Sequence, residues 1–354
     1  MSKIEKLRAK MKEIEVDAVI ILDELNQRYL SDFAFTDGYL LVGLTKGYLV
    51  TDFRYYEMAL NCADKTLEVV CPADRDAHMA EFIKELGVKR IGFEGSFVSY
   101  ERYKYYCEKY SGVEFVDIKD TVEVLREIKT PDEINKMQQA QDITDKAFSH
   151  VLSMLNPNMT ELEVAVELEY AMRKEGASAF AFETIAVSGD ASALPHGTPR
   201  NVKLKSGFLT MDFGAKFDGY CSDMTRTVVI GKADSEIKNL YNTVLMAQTS
   251  ALEFLKAGVD QGEADKVARD IIDVEYKGRF GHSLGHSVGL FIHESPRLSA
   301  RSFGEKLKTG HVVTVEPGIY IFGKYGCRIE DMVAIEDSGV YNFTKSPKEL
   351  IEIY

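Results

Sequence analysis

The chain has 354 residues, 45% of them hydrophobic and 28% charged, with a formal net charge of -13. The length suits two domains or one large one, and the composition suits a globular protein with a sizeable core. The acidic balance excludes an electrostatic nucleic-acid binder and adhesion to anionic lipid.

Residues 3–15 read as a charged amphipathic helix without the apolar segment of a signal peptide. No stretch is long and apolar enough to span a bilayer, so a soluble cytoplasmic protein is expected. The cysteines, Cys62, Cys71, Cys107, Cys221 and Cys327, are odd in number and scattered. That pattern fits a reducing compartment and offers no thiolate zinc site. Strand-length apolar runs recur at 17–22, 39–44, 48–51, 67–70, 90–93 and 113–116, with helix-like segments at 77–86 and 100–110. Strands alternating with helices predict an α/β layer domain. It carries no Gly-rich phosphate loop.

A domain boundary is expected at 122/123, dividing the chain into 1–122 and 123–354. Thr130 as N-cap and Pro131 at the first helical position then open a long helix running to about Leu155. Thr160 with Glu163 forms a capping box for a second helix, to about Glu175. The remainder is strand-rich, with helical intervals at about 234–257 and 261–274.

The segment Phe208–Gly231 contains two β-prone runs around Lys216-Phe217-Asp218-Gly219, a turn-like cluster. A hairpin centred between Phe217 and Asp218 places Asp212 opposite Asp223. Near the C-terminus a hairpin centred on Gly323 places Glu316 opposite Glu330. Thr210-Met211-Asp212 and Thr314-Val315-Glu316 are alike, and Met224 and Met332 closely follow the later acids, a weak internal repeat of two halves. One apposed acid pair has an ordinary explanation in a solvated face or a pairing with Arg226 or Arg328. Two such pairs in apolar strands point to a bound cation, because directly opposed carboxylates repel unless a cation reverses the sign. Four carboxylates without thiolates favour Mn²⁺, with Co²⁺, Zn²⁺ or Fe²⁺ as alternatives.

Three of the seven histidines fall in Gly281–His293, GHSLGHSVGLFIH. The glycines argue against a helix, so His282 and His286 are not a helical pair, and the segment lacks the Glu of a His-Glu-x-x-His motif. A lone histidine is usually structural. His286, beside four candidate acids, reads instead as a neutral imidazole ligand. His196 lies in a turn, Leu194-Pro195-His196-Gly197.

Asp212, Asp223, His286, Glu316 and Glu330, with His196 upstream and His293 seven residues after His286, resemble the creatinase / aminopeptidase P / prolidase / methionine aminopeptidase family over residues 123–354. Thr51-Asp52-Phe53-Arg54-Tyr55 and its surroundings resemble the family's smaller N-terminal domain, which typical methionine aminopeptidases lack. Creatinase works without metal, and the intact ligand set here argues against it. The resemblance implies an α/β N-terminal domain followed by an α+β pita-bread catalytic domain with a pseudo-twofold repeat.

It also implies a dinuclear centre. In it Asp212, His286 and Glu316 each bind a metal, and Asp223 and Glu330 bridge two divalent ions that acidify a water. Glu316 would carry the water's proton. His196 and His293 would contact substrate and oxyanion, with His282 either supporting a ligand or on the substrate side, and Arg328 orienting a carboxylate. Ser287 and Cys327 depart from the family's usual residues without removing a ligand. The resemblance is nearest to bacterial Xaa-Pro aminopeptidase, acting on peptides with proline second and forming a homodimer. An Xaa-Pro dipeptidase is the alternative and needs a group for the substrate carboxylate, for which Arg297 is the candidate. A catalytically silent pita-bread binding protein is the third reading, disfavoured by the complete ligand set.

Overall fold

In the computed structural model, which describes residues 1–354, Ser2 and Glu5 form a capping box that opens α1 (Lys3–Glu13). The chain continues through β1 (Ala18–Ile21), α2 (Glu24–Ser31), β2 (Tyr39–Gly43), β3 (Gly47–Val50), α3 (Phe53–Cys62) and β4 (Glu68–Val70). Then come α4 (Arg75–Leu86), β5 (Arg90–Phe93), α5 (Tyr100–Lys109), β6 (Glu114–Asp117) and α6 (Thr121–Glu127). The strands form one sheet, ordered β4-β3-β2-β1-β5-β6. It is parallel except along β2, which runs antiparallel to β1 and β3. Every residue of β1 is buried, which explains its unbroken apolar run, since a strand covered on both faces shows no alternation. Helices α2 and α3 carry Asp23 and Asp52 as N-caps. Only Ala59 of α3 is buried. Contacts divide the chain into Met1–Arg126 and Glu127–Tyr354.

The second unit starts with α7 (Pro131–Met154) and α8 (Glu161–Lys174), each opened by the expected Thr N-cap. There follow β7 (Ala179–Phe180), β8 (Ile185–Ser188), a 3-10 turn, β9 (Gly207–Phe213), β10 (Ala215–Phe217), β11 (Tyr220–Cys221) and β12 (Met224–Ile230). Next are α9 (Ser235–Phe254), α10 (Gln261–Tyr276), β13 (Gly285–Ser287), β14 (Glu294–Leu298), β15 (Val312–Val315) and β16 (Gly318–Ile321). Last come β17 (Tyr325–Arg328), β18 (Asp331–Ile335), β19 (Val340–Asn342) and β20 (Glu352–Ile353). Helices α7 and α8 pack their apolar stripes on β9 and β12, and α9 and α10 pack on the sheet β14-β13-β15-β18-β19 and the β16–β17 hairpin. The halves repeat in detail. Thr160, capping α8, bridges Lys203, and Asp260, capping α10, bridges Lys306. No helix is long and apolar enough to cross a membrane.

One register expectation holds and one fails. β16 pairs with β17 as Gly318↔Arg328, and β15 with β18 as Val315↔Asp331. Both ladders are centred on Gly323, so Glu316 and Glu330 face each other where the strands part. In the first hairpin Thr225, not Asp223, stands opposite Asp212. The turn is Asp218-Gly219, with φ of 44° and 83°, one residue later than expected. A two-residue turn with both residues left-handed matches the twist of the strands.

Candidate metal centre

Five candidate ligands converge from two hairpins and a glycine-rich strand. Asp212 sits near the end of β9, and Asp223 lies where the partner strand breaks before β12. Glu316 follows β15, and Glu330 lies between β17 and β18. Carboxylate oxygens of Asp212, Asp223 and Glu330 lie within 4.8 Å of one another. The His286 Nε2 is 3.3 Å from Glu316 Oε1 and 3.7 Å from Asp223 Oδ2. Gly285 lets β13 carry His286 this close, because a Cβ there would lie 2.0 Å from the Thr314 carbonyl oxygen.

Burial and mutual repulsion dominate the electrostatics. Asp223 and Glu330 are pushed well above the usual carboxylate range, by burial first and then by neighbouring acids. Burial likewise raises Glu316 to about 8. It lowers His286 to about 3 and His282 to about 4, keeping both imidazoles neutral. Asp212 Oδ1 is buried without a hydrogen-bond partner. Crowded acids, an orphaned carboxylate oxygen and a neutral imidazole suit a divalent cation, whose charge would offset the repulsion.

The surrounding hydroxyls and guanidinium fix the acids. The buried Arg328 guanidinium donates to Asp212 Oδ2 at 2.6 Å, to Thr225 Oγ1 at 2.9 Å and to the Tyr320 hydroxyl at 2.8 Å. Thr225 donates to Glu330 at 2.7 Å and Thr314 to Glu316 at 3.0 Å. His282 Nε2 lies 3.0 Å from the Tyr320 hydroxyl, and its Nδ1 is 4.0 Å from Glu316. Tyr320 and Thr225 are not singled out by the sequence, and Thr314 enters there only through its likeness to Thr210. The only hint is their place beside acids in strands of two-residue periodicity.

A cavity of about 480 Å³ opens over the acids, and His196, His282, His293 and Arg297 line it. His196 and His293 are exposed to it, and the His293 ring lies 4.5 Å from that of His286. Arg297 is the cross-strand partner of His286 and makes no ion pair. Every sequence-predicted site residue therefore lines this one cavity. Ser287 takes an ordinary backbone conformation with φ not positive, so a glycine is not required there. Cys327 is a small apolar member of the α9–α10 core.

Comparison with known proteins finds a family match over each part of the chain. The profile of metallopeptidase family M24 matches residues 135–337, and that of the creatinase/prolidase N-terminal domain matches residues 3–128. The chain is similar to an Xaa-Pro dipeptidase from Pyrococcus furiosus, 39% identical and covering 99% of each chain. Its structure resembles that of an Xaa-Pro dipeptidase from Bacillus anthracis, with TM-score 0.95, 43% identity and 99% of each chain covered. It also resembles an X-Pro aminopeptidase from Thermotoga maritima, with TM-score 0.91, 36% identity and 98% and 100% coverage.

Proposed function

The chain belongs to metallopeptidase family M24, with a creatinase-type N-terminal domain before a pita-bread catalytic domain, and on that premise we propose that it hydrolyses the bond between an amino-terminal residue and proline. The family implies divalent metal ions. In this reading Asp212, Asp223, His286, Glu316 and Glu330 hold two of them, Mn²⁺ fitting a donor set of four carboxylates and one imidazole. The bound ions supply Lewis acidity, acidifying the attacking water and polarising the scissile carbonyl.

The chain's own groups do the rest. Glu316 accepts the proton of the attacking water and returns it to the leaving proline nitrogen. His196 and His293, exposed on the cavity wall, donate to the peptide and its developing oxyanion. Arg328 fixes the rotamer of Asp212, and Tyr320 fixes the ring of His282.

The observation that carries the choice of substrate is Arg297. It is a guanidinium without a counter-ion on the cavity wall, opposite His286. Such a group binds a free carboxylate by a charge-assisted fork, which a dipeptide presents at its proline and a longer peptide does not. This supports an Xaa-Pro dipeptidase. The Xaa-Pro aminopeptidase expected from the sequence stands as the second reading, favoured by the likeness to the Thermotoga maritima enzyme.

The test is a paired assay of Mn²⁺-loaded protein on an Xaa-Pro dipeptide and an Xaa-Pro-Yaa tripeptide, with a chelator control. Chelator-sensitive cleavage of the dipeptide alone, with KM raised in Arg297→Ala, is expected. Preferential cleavage of the tripeptide returns the aminopeptidase reading.

A further inference from the structure

The segment 288–293 joins the ligand candidate His286 to His293, and a buried cation outside the site holds both its ends. Lys129 lies between α6 and α7, 6% exposed. Its ammonium donates to Ser287 Oγ at 3.1 Å and to Glu294 Oε2 at 3.1 Å. Ser287 and Glu294 are cross-strand partners at the base of the segment, directly after a break in register. The other oxygen of Glu294 accepts from the Phe291 amide at 3.0 Å. A Cβ at Gly289 would lie 2.4 Å from the same carboxylate, so the segment is wrapped around Glu294. Ser287, the departure from the family's usual glycine, is thus the residue that adds a hydroxyl for Lys129.

A lysine with only 2% of its side chain exposed is strongly desolvated, and it is held by its pairing with Glu294. Nothing in this arrangement touches substrate. Its geometric consequence falls on His293, which immediately precedes Glu294. We infer that Lys129 is a positioning residue, which clamps Ser287 to Glu294 and acts on the reaction through His293. The inference rests on the role given to His293 above.

The test is a double-mutant cycle of Lys129→Met and His293→Ala in the Mn²⁺-loaded full chain, with histidine NMR of the metal-free protein. Lys129→Met is expected to lower kcat by about 10- to 100-fold, the scale of a displacement near 1 Å. Metal content should stay unchanged. In the His293→Ala background the same change should alter kcat less than about twofold, since a residue acting through another has nothing left to act on. The His293 ring signals, identified by their loss in His293→Ala, should shift in metal-free Lys129→Met.

If Lys129→Met does not fold, Lys129→Met/Glu294→Gln replaces it in the cycle, because that pair leaves no unpaired buried charge. Equal losses in both backgrounds, with unmoved His293 signals, would overturn the inference while leaving His293 functional. Wild-type kcat in His293→Ala alone would overturn the role of His293, and the inference with it.

Discussion

The two halves of the catalytic unit solve one problem with different chemistry. Each must fix a loop carrying a site histidine to the start of its second helix. In the first half Glu161, fully buried at the start of α8, accepts from the Ser188 amide and hydroxyl at 2.8 Å each. It also accepts from the Arg200 amide at 3.1 Å and from the Arg200 guanidinium at 2.8 and 2.7 Å. Ser188 and Arg200 bracket the loop of His196, so one carboxylate closes it.

In the second half the position at the start of α10 is Gln261, whose buried Oε1 has no partner. The anchor has moved one turn along. Asp265 pairs with Arg269 and accepts from the Leu284 amide at 2.9 Å. Arg269 donates to the Phe280 and His282 carbonyl oxygens at 2.7 and 2.9 Å. Repetition of the backbone therefore did not require repetition of the side chains. The first clamp closes the His196 loop, which reaches the acids at one remove, through the Arg328 guanidinium that donates to the Pro195 carbonyl oxygen at 3.3 Å and to Asp212 at 2.6 Å. The second also carries Leu284, whose carbonyl accepts from the Glu316 amide at 2.8 Å and so reaches the ligands.

The largest effects should come where the halves meet, at the acids themselves. Asp223→Asn removes a carboxylate from the cluster, and the loss of several kcal/mol of transition-state stabilisation corresponds to roughly a thousandfold in kcat/KM. Metal content should fall with it. Removing the metal from the parent protein should expose the repulsion. Glu316 is raised from 4.5 to about 8, so above its unfolded value the folded state keeps a proton that the unfolded chain releases. Stability then falls as pH rises toward 8. The lowered His282 and His286 act oppositely, but only below their unfolded value of 6.5. Between pH 6.5 and 8 the acids act alone, costing about 1.4 kcal/mol per pH unit for each retained proton, or about 2 kcal/mol from Glu316. Thermal unfolding of the metal-free protein should track this slope. The slope should flatten in Asp223→Asn and vanish on metal loading, and a metal-free Tm that rises across the window would contradict the crowding.

The two clamps can be separated by intermediate effects. Glu161→Gln leaves Arg200, which is partly in water, without its charge partner and should cost about 1–3 kcal/mol of stability. Because it loosens the His196 loop and touches no ligand candidate's backbone directly, KM should rise about tenfold while metal affinity changes less than in the second half's variant. Asp265→Asn should cost a similar stability and, through Leu284 and Glu316, weaken metal binding by about 10- to 100-fold. Isothermal titration of Mn²⁺ beside steady-state kinetics reads both. Equal metal affinities in the two variants would erase the proposed difference between the halves.

How much of this was legible in the residues depended on whether a local signal existed. Thr130, Thr160 and Glu163 announce their helices, because a cap satisfies orphan amides by a fixed spacing. The Gly323 hairpin was readable because its loop is symmetric about a glycine at φ 72°. The first hairpin turns one residue later than the sequence predicts, although Asp218-Gly219 is itself a turn signature, because Lys216-Phe217 adjoins it in one turn-like cluster. The acids and His286 were legible by order and residue type. Tyr320, Thr225 and Lys129 were not, since a hydroxyl or a lysine carries no pattern until the fold gives it a partner. Helix α3 buries a single residue, Ala59, and is not among the elements predicted from the sequence.

The smallest expected effect tests whether the second half has abandoned its inherited clamp position. Gln261 is 3% exposed and its backbone amide bonds the Glu305 carbonyl oxygen at 2.9 Å, but its side-chain oxygen accepts nothing. A buried acceptor without a donor carries its desolvation cost uncompensated. Gln261→Met keeps the length and removes the polar oxygen, so stability should stay within about 1 kcal/mol of the parent or rise, and kcat/KM should not change. The same substitution at Glu161 should unfix the His196 loop. A large loss of activity in Gln261→Met would mean that this side chain holds its loop as Glu161 does, and that the halves are more alike than their hydrogen bonds indicate.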